Sequence, residues 1–182
     1  MSTAVVLYGP PAVGKDTVTS YLVKLGPFSH FERLKCGPGR TTGYRMIEEA
    51  ELVDVVTKPG EVIWRDDRYG ATYLVDRSHV EALVAAGLVP VLHLGRPDAV
   101  NAVARALPSL RWVVVDLYAP RDVVLKRVIE RGTGDTSARL RAYDSTPRLD
   151  TALLSIDTSA VDASTAATEI ADAVLHQTQG SL

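Results

Sequence analysis

The chain has one cysteine, Cys36, in 182 residues, so neither an intrachain disulfide nor a cysteine-based zinc cluster can form. It has almost no excess of charge: the formal net charge of −2 offers no general attraction to nucleic acid or to an acidic membrane surface. Any anion site must therefore be assembled locally. No apolar run approaches membrane-spanning length, and the first residues lack a basic stretch leading into a secretory apolar segment. Neither a nucleic-acid nor a membrane partner is expected, and a cytoplasmic location is. No internal repeat or low-complexity tract stands out. There is also no Asn-Lys-x-Asp element of the kind that reads guanine in GTP-driven switches.

What remains is ordinary globular material, 46% hydrophobic and 23% charged, enough for one domain over residues 1–182 with a sizeable core. Strand and helix signals alternate along it. Ala4–Tyr8 reads as a buried strand, Lys15 to about Leu25 as a helix closed by Gly26-Pro27, and Phe28–Cys36 as room for a second, shorter strand. Met46–Val56 reads as helical, and Glu61–Tyr73 as a hairpin with Asp66-Asp67 near its bend. Asp76–Ala86, Ala99–Leu107, Pro120–Arg131, Ser137–Tyr143 and Ser164–His176 read as helices; Leu88–Leu94, Arg111–Leu117 and Leu153–Asp157 read as strands. Such alternation implies an α/β fold with a central parallel sheet covered on both faces, and ligands beyond the carboxyl ends of its strands.

One motif sits at such an end. Gly9-Pro10-Pro11-Ala12-Val13-Gly14-Lys15-Asp16-Thr17 follows the first strand and opens the first helix, matching the phosphate-binding pattern G-x-x-x-x-G-K-[ST] except at its last position. Gly9 and Gly14 permit backbone conformations that a Cβ disfavours, the amides can form an anion nest at the helix start, and Lys15 brings a point charge to phosphate oxygens. Asp16 stands where a hydroxyl ordinarily meets Mg²⁺. It is either a helix-start acid favoured by the dipole or a hard oxygen ligand for the metal, with Thr17 as the other metal candidate.

Two arginine groups follow. Arg40, Thr41, Thr42 and Arg45 lie in a glycine-rich stretch that is either a surface connection or the receptor of a second phosphate. Lys126, Arg127 and Arg131, then Arg139 and Arg141 beyond Gly132-Thr133-Gly134, form either a solvated helix face or a lid that brings arginines to a transferring phosphoryl group. Trp64, Tyr69 and Tyr73 either pack the core or line a pocket.

From Gly9 to about Val174 the chain resembles the guanylate kinase-like branch of P-loop nucleoside monophosphate kinases. The resemblance is carried by Gly14-Lys15, by Thr41-Thr42, by Tyr69-Gly70-Ala71, by Gly87-Leu88-Val89-Pro90-Val91-Leu92, and by Arg127-Val128-Ile129-Glu130-Arg131-Gly132 with Arg139-Leu140. Gly-Lys-Asp and Trp64 ahead of Tyr69-Gly70 also resemble ribose 1,5-bisphosphate phosphokinases. The resemblance implies a three-layer P-loop kinase fold: a core of about 1–36 and 76–182, a small acceptor-binding insertion of about 37–75, and an arginine-bearing lid of about 131–141. It further implies ATP and Mg²⁺ as cofactors, held at 9–17. Lys15, Arg127, Arg131 and Arg139 would be catalytic, and Arg40, Thr41, Thr42, Arg45, Trp64, Tyr69 and His93 would meet a small-molecule acceptor. Departures are specific. Gly43 replaces an arginine, and His93 and Gly95 replace the acids that would read a guanine edge, so a nucleotide or sugar phosphate other than GMP is the expected acceptor. A ribose 1,5-bisphosphate phosphokinase-like enzyme and a non-catalytic guanylate kinase-like interaction domain are the alternatives. Monomer and homodimer both stay open.

Overall fold

The computed structural model describes residues 1–132 and 134–179. In chain order the elements are β1 (Thr3–Tyr8), α1 (Lys15–Leu25), β2 (Phe28–His30), β3 (Arg33–Cys36), β4 (Tyr44–Met46), α2 (Glu49–Thr57), β5 (Val62–Arg68), β6 (Ala71–Asp76), α3 (Arg77–Ala85) and β7 (Val89–Leu94). They continue with α4 (Pro97–Ala106), β8 (Arg111–Tyr118), α5 (Arg121–Arg131), α6 (Thr136–Asp144), β9 (Leu154–Asp157) and α7 (Ala163–Gln179). No helix among the described residues is long and apolar enough to cross a membrane.

The central sheet is five-stranded, in the order β2-β7-β1-β8-β9, and every pairing in it is parallel. All six residues of β1 are buried because it is the middle strand and both its faces are covered. Val5 and Leu7 pack with Val18 and Leu22 of α1 and with Ala166, Ala167 and Ile170 of α7. Val6 and Tyr8 turn to the other side, against Val80 of α3 and Val100 and Val103 of α4. Burial of each such Leu or Val contributes about 1.5–3 kcal/mol relative to exposure. The alternation of β1 thus secures three layers from one short strand.

A second sheet, β4-β3-β6-β5, spans Arg33–Asp76 and stands beyond the carboxyl end of β2. Phe28–Cys36 therefore divides into two strands belonging to different sheets. The stretch expected to be helical from Met46 instead ends β4 at Met46 and begins α2 at Glu49, where Glu48 and Glu51 close a reciprocal capping box. The hairpin bend also falls elsewhere than expected. Asp66 and Asp67 lie within β5, and the two-residue turn is Tyr69-Gly70, with φ of 56° and 72°, the left-handed pair that matches strand twist. Asp67 stays in the strand because Arg65 and Thr72 bond its carboxylate on the outer face, at 2.9 and 2.6 Å.

α6 follows α5 closely, and residues 145–150 strap it back onto the sheet. The strap is fastened by Tyr8, whose hydroxyl donates to the Pro147 carbonyl at 2.7 Å, and by buried Asp116, which accepts from Arg148 Nε at 2.6 Å. The expected lid range of 131–141 includes Thr133, which lies outside the described residues.

Candidate active site

β1 delivers the chain to Gly9 at the sheet's carboxyl edge. A Cβ there would stand 2.2 Å from the Leu117 carbonyl, so only glycine allows the loop to leave beside β8. Gly14, at φ 97°, then turns the chain into α1, whose first amides have no carbonyl partner within the helix. Pro11, Ala12, Gly14, Lys15 and Asp16 face one cavity. Val13 instead sends its side chain into the core, where it is fully buried. The Lys15 ammonium is folded back on the loop, donating to the carbonyls of Gly9 at 2.6 Å and Pro10 at 2.7 Å. Loss of hydration in that position pushes its pKa down to about 7, against the opposing pull of Asp16. A bound anion would restore the charge.

The opposite wall of the cavity comes from the second sheet. Trp64, Asp66 and Arg68 alternate along β5 and so share one face, with Tyr73 across from Asp66. Arg33 of β3 lies over the rings of Tyr44 and Tyr73, 5.7 and 5.3 Å from their centroids, within cation–π range. Buried Lys35, two residues along, donates to the carbonyls of Pro38 at 2.6 Å and Arg40 at 2.7 Å and so shapes the loop that carries Arg40. Arg131 and Arg139 close the third side. Six arginines and Lys15 line this cavity against three carboxylates, a local concentration of positive charge in a chain whose net charge is −2. Each carboxylate already has an arginine: Asp16 with Arg40, Asp66 with Arg68, Asp135 with Arg139, at 3.0, 2.6 and 2.7 Å.

Asp16 is the point of contact between the walls. Its Oδ2 accepts from Arg40, and its Oδ1 faces His93 Nδ1 at 3.5 Å. The His93 contact and then Arg40 hold the carboxylate well below its usual range, and the Arg40 bond has the stronger geometry. His93, at the end of β7, is lowered to about 4 by burial, so it is neutral near pH 7. Its Nε2 lies 2.7 Å from the Thr19 hydroxyl, and neutral imidazole can then offer its other nitrogen as donor to Asp16. The carboxylate is half-exposed and its Oδ2 holds a guanidinium, and no cluster of three or more His, Cys, Asp or Glu able to hold a metal occurs among the described residues, so a hard cation there would displace Arg40 and take its remaining ligands from elsewhere.

The structure brings Lys15, Asp16, Arg40, Trp64, Tyr69, His93, Arg131 and Arg139 together on one cavity. It places others elsewhere. Arg127 lies on the outer flank of the loop and binds Thr158, through its carbonyl at 2.7 Å and its hydroxyl at 3.0 Å, with a longer contact of 3.4 Å to the Ala12 carbonyl. Thr17 faces the same flank, in a hollow with Thr158 and Val161, away from Asp16's cavity. Arg45 is held by the Glu32 carbonyl at 2.9 Å and by Asp76, because β4 pairs with β3 and turns it toward Phe31. Thr41 and Thr42 are exposed; Thr42 borders a small hollow beside His30, and the Thr41 carbonyl accepts the Tyr44 amide. Arg33, Tyr44, Asp66, Arg68 and Arg96 join the cavity without having been singled out. For β5 the signal was available as a period of two in Trp64, Asp66 and Arg68.

No family model matches the chain, and no curated protein sequence matches it. Solved structures do. A guanylate kinase from Anaplasma phagocytophilum superposes with a TM-score of 0.65 at 17% identity, over 98% of this chain and 87% of that one. The YorR protein of Bacillus subtilis, determined in complex with phosphorylated GDP, superposes with a TM-score of 0.52 at 18% identity, over 96% and 97% of the two chains. At these identities the likeness is one of architecture: with its five-stranded parallel sheet flanked by helices, the chain has the P-loop kinase fold.

Proposed function

We propose that the protein is a small-molecule kinase that moves the γ-phosphoryl group of ATP to a phosphorylated acceptor, a nucleotide or sugar phosphate other than GMP. One observation carries the reading: the Lys15 loop and the arginines of the second sheet and α6 face the same cavity, so two phosphates can meet among seven cations. The concave placing of that charge favours a small molecule over nucleic acid.

The amides of 12–17 and Lys15 hold the donor's β- and γ-phosphates, and the flank hollow beside Arg127, Thr158 and Val161 accommodates its nucleoside end. Asp16 is the residue that would hold Mg²⁺, which neutralises β- and γ-oxygens when bound. Thr17, on the far side of the loop, is the weaker candidate. Arg40, Arg33, Tyr44 and Tyr69 orient the acceptor, with Trp64 as a flat apolar platform. An acceptor oxygen attacks the γ-phosphorus as the bond to the β,γ-bridging oxygen breaks, and ADP leaves. Arg131 and Arg139 stabilise charge as it shifts between the two ends. A phosphate acceptor needs no strong base, so positioning and electrostatics supply the catalysis.

GMP is disfavoured because a guanine edge needs free acceptors for its N–H groups. His93 and Gly95 supply none of the acids that the resemblance would place there, and of the cavity's three carboxylates Asp66 and Asp135 are paired with arginines while Asp16 belongs to the donor loop. An ATP-consumption screen over nucleoside monophosphates, nucleosides and sugar phosphates tests the reading. One acceptor should support turnover that Lys15→Ala abolishes without loss of fold. Near-normal turnover in Lys15→Ala, or GMP as the best acceptor, would refute it. Failure to bind ATP with Mg²⁺ by calorimetry would favour a non-catalytic interaction domain.

A further inference from the structure

Asp16 is braced from two sides that differ in kind. On the core side His93 is nearly enclosed, its ring lies 4.5 Å from that of His30, and its far nitrogen is fixed by buried Thr19. On the solvent side stands Arg40, a side chain 48% exposed, reaching across from the second sheet. The backbone beneath Arg40 is held, because Lys35 bonds the carbonyls of Pro38 and Arg40 itself. Its guanidinium is hydrogen-bonded to Asp16 alone among the described residues. Around it, Arg33, Tyr44 and Tyr69 give it an alternative anion-binding neighbourhood within the same cavity. A metal ion at Asp16 and a guanidinium on its Oδ2 compete for one carboxylate.

We propose that Arg40 serves the two halves of the site in turn: it neutralises Asp16 in the free protein, and a metal–nucleotide that takes Asp16 releases it to the acceptor's anionic group. The inference rests on the reading of Asp16 as the metal-side carboxylate. Its consequence is a reciprocal coupling, in which donor binding readies the acceptor side and an acceptor anion that draws Arg40 away readies Asp16 for the metal. Exposed ion pairs are weak, so the latch is worth roughly a two- to fivefold change in affinity, enough to order the two ligands without blocking either.

Calorimetry with ADP as the probe, in Mg²⁺ and in EDTA, tests this without any turnover. The readout is the factor by which Mg²⁺ tightens ADP. Comparing the two conditions removes the general loss of attraction between Arg40 and the phosphates. Arg40→Ala should raise that factor about two- to fivefold, and the rise should vanish when Asp16→Asn is already present, since the pair is then broken from the other end. A factor unchanged by Arg40→Ala, or raised equally in both backgrounds, would overturn the latch. A different result marks failure of the underlying reading: if Asp16→Asn alone leaves the Mg²⁺ factor at its wild-type value, Asp16 is not the metal-side group and the latch falls with it.

Discussion

Removing Arg127 separates two roles that lie close together in the chain. The resemblance makes it a lid arginine, but its guanidinium is spent on Thr158 and reaches the back of the loop after β1 at Ala12. It therefore ties the loop to the β9–α7 connection. Hydrogen bonds to a charged group contribute about 1.5–3 kcal/mol each when buried. Arg127 is half-buried and water can replace part of what is lost, so Arg127→Ala should cost about 1–2 kcal/mol in all. For a chain of this size that corresponds to a fall in Tm of about 2–8 °C. Nucleotide affinity should fall as well, while kcat at saturating ATP should change little. Arg131, by contrast, lines the cavity and has no ion-pair partner among the described residues. Arg131→Ala should leave Tm within about 1 °C, since surface changes cost little, and should lower kcat. Thermal unfolding and turnover on both variants settle the assignment. An Arg127→Ala protein with wild-type Tm and lost kcat would refute it and restore Arg127 to the lid.

Two further outcomes follow from the strap and from the last helix. Arg148→Ala leaves the Asp116 carboxylate buried with a single long contact from the Leu149 amide, so it should destabilise by about 1–3 kcal/mol in urea titration. Adding Asp116→Leu to that variant should recover part of the loss, and a double variant worse than the sum of the singles would refute the pairing. Asp162 caps α7 by accepting from the amides of Ser164 and Thr165 and from both hydroxyls, and these bonds hold its pKa well below the usual range. A depressed carboxylate stabilises the fold above its unfolded pKa and loses that effect as pH falls through the folded one. Asp162→Ala should therefore lower Tm at pH 7, with the deficit shrinking below about pH 4; a deficit independent of pH would count against the cap.

The central sheet was legible because its strands are buried on both faces and read as continuous apolar runs between helix-length segments. The turns of the loop were legible because Gly9 and Gly14 take up a close approach and a backbone conformation that a Cβ disfavours. Of the second sheet, only the hairpin of β5 and β6 was legible. Strands β3 and β4 are only four and three residues long, too short for a period to show, and β3 is held between β4 and β6, both of which come later in the chain. Asp66-Asp67 has turn composition but sits in a strand, since alternate faces give each carboxylate its own arginine. The true turn, Tyr69-Gly70, was visible only as a motif of resemblance. Arg45 shows a related limit: loop composition left the direction of its side chain open, while strand pairing turns it toward Asp76. Arginine count cannot say which arginines are already engaged.

Two departures that stand 77 residues apart in the chain become one feature in space. Position 16 carries an acid where the loop pattern expects a hydroxyl, and position 93 carries a histidine where the resemblance expects an acid. In the structure these residues face each other at 3.5 Å. A carboxylate placed at both positions would set two like charges against each other, and a neutral group at both would leave no hard anionic oxygen in the cavity outside the pairs at Asp66 and Asp135. One acid and one neutral donor satisfy both constraints, and either assignment of the two to the two positions does so. Here the acid stands on the loop, and burial lowers the pKa of His93 to about 4, which leaves it neutral near pH 7. On the loop the carboxylate stands 3.0 Å from Arg40, so a single contact joins the loop after β1 to the segment between β3 and β4.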